Sequence, residues 1–552
     1  MRLSNLVDLK LHSKYELCVM TPIADADSAG ASMKKDMNGC KADLGRIRPL
    51  IWAVVLLAFS ACHRQIGVRQ PHAPAGPDPK ALEYLAKGDE YFRRNHLYGW
   101  RMAEDLYSKA YALAPTAETG NKLLFARVLR FTREIDEDIA VSELEKRLAA
   151  DCASPADPRQ QWLCEFSRRY SAPLPAVKAD SPEAHIGDWP EFGPDEADLR
   201  VYVYILDAQA RGLALPKDYQ NAASEQFKGS LLFVYLNLRK MSDQARQELE
   251  QAQPDFAELS VLNGETHSQR RRFREARASF NKALELVPDY TRAITGLGNI
   301  YLYVLEDYED ALKQYESTLR WDATNTGGLF GKGAVLHSLG RFSDSNPAFD
   351  IMLASDLTRR GRTDRSTTRF YEGMGRYYQA YNFYEMFDPE QARKMIDLAK
   401  KALPETEQVL YFSGLLYFNA NQMEPARIDF QAALSHGASN CDANYYLGLI
   451  NLQSDESKAA SYFLGMCSCM ESAISALKND IAGVPKLDLE QNERDSLKAK
   501  LQQKLSGYHK TGGDQIRSAI KMMDLTSLGR KNLYIQLMNE TLQRVTETES
   551  NP

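Results

Sequence analysis

The chain has 552 residues, a formal net charge of −6, 44% hydrophobic residues and 26% charged residues. This balance is ordinary for a folded protein and gives no overall basic field that would attract nucleic acid. So long a chain exceeds what one compact core supports, a limit that does not apply to an extended repeat array.

The N-terminus carries the features of an export signal. Residues 50–61 form an uncharged apolar run that Cys62 follows. A run of about twelve residues is too short to span a bilayer but suits the core of a signal peptide. The segment Leu57–Cys62 resembles the lipobox of bacterial lipoproteins, which implies cleavage before Cys62 and a diacylglycerol on its thiol. We therefore expect residues 1–61 to be a leader, and the mature chain to be an outer-membrane lipoprotein that faces the periplasm.

Two other interpretations of this segment are a plain signal peptide and an uncleaved anchor. Met33 would start a leader of ordinary length, so we expect residues 1–32 to be an over-extended reading frame. Residues 62–80 are rich in Pro, Ala and Gly, which is typical of a flexible tether.

An N-terminal helical region is predicted over residues 81–253. It begins with one helical pair around Gly88, and apolar residues at helical spacing follow over 119–150. Residues 151–198 hold seven prolines and are expected to form an irregular surface loop. Cys152 and Cys164 lie in this segment and could close as a disulfide in an oxidising compartment.

A repeating pattern dominates the middle of the chain. Gly264 is followed by Ala276, Phe280, Ala283 and Pro288, the residues needed where two helices cross closely, an aromatic side chain fills the gap and proline ends the second helix. The pattern returns at later glycines, of which the second lies 34 positions after the first (298 − 264). These glycines are Gly298, Gly333, Gly414 and Gly448.

This pattern resembles the tetratricopeptide repeat family, whose unit is a helix–turn–helix of roughly 34 residues. The resemblance implies an all-α fold, a tetratricopeptide-repeat superhelix (α-solenoid), with the main array over 254–470 and a helical C-terminal cap over 471–552. One further unit fits Gly373 if the turn after its first helix carries about seven extra residues at Tyr384–Pro389. Within the cap, Gly512 and Gly513 are expected to break a helix.

The resemblance also implies a protein-binding inner face, formed by set positions of each first helix. The early repeats place polar residues there and the later repeats place aromatic residues, which supply large contact area at low entropy cost. The alternative is that several of the rings pack between helices. The expected groove residues are Glu265, Asn299, Phe330, Phe370, Tyr377, Tyr411, Phe418 and Tyr445.

Residue patterns for chemistry are missing from the sequence. It has no zinc-type histidine pair, no Gly-x-Ser-x-Gly elbow and no dinucleotide fingerprint, so we expect no enzyme, no cofactor and no metal. Cys441 could pair with Cys467 or Cys469, although Cys467 could equally replace the small alanine of the repeat.

We therefore expect a lipid-anchored scaffold that binds other proteins, but not nucleic acid, and helps to assemble envelope machinery. One alternative is a helical component of a substrate-binding transport system that holds a small ligand. Another is a cytoplasmic scaffold with the same repeats.

Overall fold

The computed structural model describes residues 78–172, 197–214, 241–355, 365–437 and 440–546, with the isolated positions 175, 181–183, 232, 235 and 238. These residues form 21 α-helices, and their β-structure is limited to a bridge between Glu183 and Ala214. No helix within these ranges is long and apolar enough to cross a bilayer. The leader, Cys62 and most of the tether lie outside the described residues.

Within the described residues, seven helices precede the main array. They are α1 (Pro79–Phe92), α2 (Leu97–Leu113), α3 (Ala117–Asp136), α4 (Ser142–Asp151), α5 (Pro158–Ser171), α6 (Ala197–Arg211) and α7 (Asp243–Ala252).

The expected irregular loop over 151–198 is wrong in its first part, because α5 lies inside it. Asp157 accepts a hydrogen bond from the backbone N–H of Gln160, and Pro158 occupies the first turn, where its missing N–H costs nothing. Phe166 and Tyr170 are buried against the neighbouring helices. The aspartate and proline at the start of this segment therefore begin a helix instead of preventing one.

Six helical pairs follow, which we number as repeats 1 to 6. Repeat 1 is α8 (Ala257–Gln269) with α9 (Phe273–Leu286), and repeat 2 is α10 (Thr291–Ile300) with α11 (Tyr308–Trp321). Repeat 3 is α12 (Thr326–Ser338) with α13 (Phe342–Ala354), and repeat 4 is α14 (Arg365–Glu385) with α15 (Pro389–Ala402). Repeat 5 is α16 (Glu407–Asn419) with α17 (Met423–His436), and repeat 6 is α18 (Cys441–Asn451) with α19 (Glu456–Gly483).

In five repeats a glycine of the first helix lies against an aromatic ring of the second. A methyl group added to any of these glycines would lie within 3.0 Å of that ring, so the helices could not approach as closely. In repeat 6 the ring belongs to Phe463, one position before the Leu464 that the spacing predicts. The pairs are Gly264 with Phe280, Gly298 with Tyr315, Gly333 with Phe349, Gly414 with Phe430 and Gly448 with Phe463.

The turn between the two helices is built alike in repeats 1 to 5. One residue there has a left-handed backbone, such as Arg271 with φ of 60° and Phe387 with φ of 61°. The backbone N–H of the residue that follows donates a hydrogen bond to a carbonyl at the end of the first helix. In repeat 3, for example, Arg341 donates to the Leu336 carbonyl at 2.8 Å. In repeat 2 a π-turn over Tyr301–Leu305 adds one residue before the left-handed position at Glu306.

The predicted register of repeat 4 is wrong. Ala380, not Gly373, takes the close-crossing position: it lies 34 residues before Gly414 (414 − 380) and is fully buried with Ala392 and Ile396. The turn is therefore of ordinary length. The extra residues instead precede the repeat and lengthen α14 to 21 residues, against 13 for α16.

The C-terminal cap reaches both ends of the array. After α19, a short 3-10 turn at Val484–Lys486 leads into α20 (Gln491–Asp524), and α21 (Lys531–Thr546) packs beside it. With 34 residues, α20 is about 51 Å long at the usual rise of ~1.5 Å per residue.

The expected break at Gly512 and Gly513 is wrong, because both glycines are buried inside α20. Met470 of α19 lies next to Gly512, so the missing side chains allow the helices to pack closely. Glu493, near the start of α20, pairs with Arg277 of repeat 1, with one N–O distance of 2.8 Å. Ser518, near its end, contacts Tyr445 of repeat 6.

Candidate functional site

Repeats 4 and 5 place aromatic side chains at matching positions of their first helices. Tyr377 and Tyr411 are 34 residues apart (411 − 377), as are Tyr384 and Phe418 (418 − 384). All four side chains are half-buried, as is Tyr381 between Tyr377 and Tyr384. Equal spacing therefore gives equal positions on two neighbouring helices, each of which ends in the same left-handed turn.

The helical pairs are tetratricopeptide repeats. The repeating glycine–aromatic crossing, the 34-residue spacing and the shared turn geometry together define this fold. The inner face then follows from the corrected register of repeat 4, in which Tyr377, Tyr381 and Tyr384 lie one helical turn apart. The sequence contained this signal for Tyr381 and Tyr384, since counting back 34 residues from Gly414 gives Ala380 rather than Gly373.

Rings on these two first helices are backed by a second layer of rings. Phe412 is buried, and the ring of Tyr381 stacks on it with centroids 5.1 Å apart, while Tyr384 meets its edge at 5.7 Å. Phe418 packs on Tyr446 at 4.9 Å. Such aromatic contacts hold each ring in one orientation, so the half-exposed faces form a preorganised apolar surface.

Polar groups border this surface. The side-chain amide of Asn419 donates to the Tyr384 hydroxyl at 3.1 Å. Partial burial raises the pKa of Glu385 above its ordinary value, although the Tyr381 hydroxyl partly opposes the shift. We call the surface formed by Tyr377, Tyr381, Tyr384, Tyr411 and Phe418 the tyrosine face.

Phe330 and Phe370 do not belong to this face. Phe330 is buried in the core of repeat 3, where it meets Phe349 at 6.0 Å and Tyr378 at 5.8 Å. Phe370 lies in the extra turns at the start of α14 and packs on Phe330. The groove expectation is wrong for Phe330, because the extra turns of α14 cover the position that is open in a regular array.

The expected polar groove residues of repeats 1 and 2 have partners inside the chain. Arg292 pairs with Glu265 at 2.6 Å and also with Glu137, which directly follows α3. Asn299 accepts a hydrogen bond from the Tyr315 hydroxyl at 2.8 Å. Although burial opposes its ionisation, Arg292 and two tyrosine hydroxyls hold the pKa of Glu137 below its ordinary value. The Arg292 contacts therefore join the N-terminal helices to the array.

A buried arginine lies at the centre of the same junction. The guanidinium of Arg133 is fully buried and donates to Glu258 of α8 at 2.8 Å. The guanidinium carbon of Arg133, Cζ, lies 3.4 Å from the ring centroid of Tyr235 and 4.8 Å from that of Trp100. Glu258 also accepts from the Leu97 backbone N–H at 3.0 Å. Sequence analysis missed this cluster because Arg133 and Glu258 lie more than a hundred residues apart.

The inner face of repeat 6 is covered by the cap. Tyr445, the third tyrosine of the 34-residue series, shares a hydrogen bond of 3.1 Å with Ser518 of α20. Gln515, one turn earlier in α20, donates to Asp442 at 2.5 Å. Helix α20 therefore occupies the position where a ligand of repeat 6 would lie.

Two disulfides are present among the described residues. Cys152 joins Cys164 with a Cα–Cα distance of 5.6 Å, and Cys441 joins Cys469 at 5.3 Å. Cys467 is therefore not the partner of Cys441. Two positions along a helix rotate a side chain by about 200°, so only one of the two candidates can face α18. Cys467 stays a buried thiol, and burial raises its pKa to about 12.

The described residues contain no group of three or more His, Cys, Asp or Glu side chains placed to hold a metal ion. Among the histidines of the repeats, His337 is buried and contacts Asn382 at 2.6 Å. Asn382 uses its amide nitrogen to donate to Ser345 and Asn346, so its oxygen accepts from His337. This network joins repeat 3 to repeat 4 and is fully internal.

No protein-family model and no curated protein matches the chain. Among solved structures, PilF of Pseudomonas aeruginosa is 20% identical over 40% of this chain and 91% of its own, with a TM-score of 0.33. PilW, described as a type IV pilus biogenesis factor, is 17% identical over 38% and 92%, with a TM-score of 0.34. A repeat-containing protein from Cytophaga hutchinsonii is 13% identical over 52% and 96%, also at 0.34. At these values the likeness says nothing of partner or activity.

Proposed function

We propose that this protein is a lipid-anchored scaffold of the cell envelope, which binds a segment of another protein on its tyrosine face. The observation that carries the proposal is the presence of half-exposed aromatic rings at matching positions of repeats 4 and 5. Tyrosine and phenylalanine dominate the energetics of protein interfaces because they bury large area with few rotatable bonds.

The extent of the face suggests the size of the ligand. Repeats 1 and 2 use their inner polar groups within the chain, in part to hold the N-terminal helices, and repeat 6 is covered by α20. The accessible rings therefore span two repeats, which suits a short segment rather than a whole domain. Glu385 and Asn419 at its border would orient polar groups of that segment.

The cysteines support the compartment that we propose. Two disulfides suit an oxidising environment such as the periplasm and would be unusual in a reducing cytoplasm. This fits export through the signal at residues 50–61 and lipidation at Cys62. Mass spectrometry of the mature N-terminus tests the anchor, which we expect to be acylated Cys62. Recovery of an intact peptide over residues 50–61 from the mature protein would refute it.

Crosslinking in living cells tests the tyrosine face. A photoreactive phenylalanine at Tyr411 should capture a defined partner protein, which mass spectrometry identifies, and the same group at exposed Ile428 on α17 is the matched control. Tyr384→Ala and Phe418→Ala should each weaken binding of that partner roughly 30-fold or more, as expected for interface anchors. Equal capture at both positions, or capture of a small molecule in place of a protein, would contradict the proposal.

A further inference from the structure

Four exposed apolar side chains lie at and beside the turn that joins α20 to α21. Met522, Leu525, Leu533 and Leu537 expose 37%, 78%, 52% and 38% of their surface. Met522 lies in the last turn of α20 and Leu525 directly follows that helix, while Leu533 and Leu537 are four positions apart and lie on one face of α21. We call this surface, with the exposed cations Lys521 and Arg530, the cap patch.

Neighbouring residues of the same helices face the core. Met523 of α20 and Met538 of α21 are fully buried in the cluster that also holds Phe463 and Met466 of repeat 6. The exposed leucines are therefore not needed for packing the cap. Leu525 has the largest exposed fraction among the exposed large hydrophobic residues of the described chain.

Cations outnumber acids in the segment that forms this patch. Residues 521–537 carry three cations and one acid, a net charge of +2 (3 − 1), while the whole chain has a net charge of −6. Lys531, the first residue of α21, donates to the Asp524 carbonyl at 2.8 Å, and Glu456 of α19 adds a second acid at the turn, where it accepts from the Ser527 N–H at 3.1 Å. Lys521 and Arg530 stay at the surface beside the leucines.

We propose that the cap patch binds the surface of an anionic lipid bilayer. Leucine and methionine side chains that project beside lysine and arginine match the interface, where apolar groups enter the acyl boundary and cations meet lipid phosphates. The patch would hold the cap end of the protein at the membrane whether or not an acyl chain is attached elsewhere. It would therefore orient the repeats relative to the bilayer, which a flexible tether alone cannot do.

Vesicle binding of the full chain tests this proposal. The protein is prepared as Cys62→Ser, so that no acyl chain contributes, and residues 50–61 are common to all variants. Vesicles contain phosphatidylethanolamine with roughly one third phosphatidylglycerol, or phosphatidylcholine alone as the neutral comparison. Leu525→Ser with Leu533→Ser should weaken binding to the anionic vesicles at least about tenfold. The matched control is Ile351→Ser with Ile428→Ser, two residues on other helices that are also exposed (49% and 54%) and should change nothing.

A second readout reports on the position of the patch itself. Tryptophan fluorescence of a Leu525→Trp variant should be quenched by brominated lipids, in excess of the quenching in the parent chain. Lys521→Gln with Arg530→Gln should reduce binding to anionic vesicles about tenfold and leave neutral ones unaffected. The proposal is wrong if the introduced indole is not quenched, or if the two leucine changes leave binding unaltered. Sedimentation that shows self-association, abolished by the same leucine changes, would instead make the patch an interface between copies.

Discussion

The junction between the N-terminal helices and the array depends on a buried charge pair, so Arg133→Met should be strongly destabilising. Arg133 and Glu258 are almost fully buried, and a hydrogen bond of 2.8 Å joins them. Methionine keeps much of the apolar contact with Trp100 and Tyr235 but leaves the Glu258 carboxylate buried without its cation. Removal of one partner of a buried pair typically costs about 3–5 kcal/mol.

The companion change Glu258→Gln separates lost charge from lost packing. Glutamine keeps an oxygen that accepts from the Leu97 N–H. The double variant, Arg133→Met with Glu258→Gln, contains neither of the two buried charges. We expect the double variant to lose only about 1–2 kcal/mol, less than Arg133→Met alone. Urea unfolding followed by circular dichroism at pH 7 measures the free energies of unfolding. If Arg133→Met lies within about 0.5 kcal/mol of the parent, or the two changes add, the junction is not held by this pair.

Three further predictions follow from local geometry. Burial lowers the pKa of His337 to about 4, despite its hydrogen bond to Asn382, from 6.5 in an unfolded chain. The stability of the fold that holds this imidazole neutral is therefore fully present above pH 6.5 and is lost as pH falls towards 4. In urea titrations, the free energy of unfolding of the parent should fall by about 3 kcal/mol relative to that of His337→Gln over this range. A constant difference between the two proteins would show that His337 is solvated. Ala380→Leu should cost about 1–3 kcal/mol in thermal melts, since the position lies at a helix crossing, whereas no loss would restore the register based on Gly373. Phe387→Gly should raise stability by about 1 kcal/mol, because glycine adopts the left-handed backbone without strain, and a loss would mean that the exposed ring makes stabilising contacts.

The repeats themselves could be predicted from the sequence. Gly264 and Phe280 lie within one helical pair, so their contact depends on the spacing along a single hairpin. The same holds for Gly414 with Phe430, and for the left-handed turn seven residues after each of these two glycines. Such short-range geometry repeats whenever the residues repeat, which is why the all-α class and the periodicity needed no tertiary information.

Tertiary structure decided which inner-face residues remain accessible. Tyr411 and Tyr445 occupy the same position of their repeats, and α20 covers the second of them through its hydrogen bond with Ser518. Phe330 is buried by extra turns of α14 that the sequence pattern assigned to the following turn. The sequence determined the unit and its spacing, because those depend on neighbours within about 34 residues. Only the folded chain brings Arg277 to Glu493, 216 residues away, and a pairing at that separation leaves no periodic signal along one sequence.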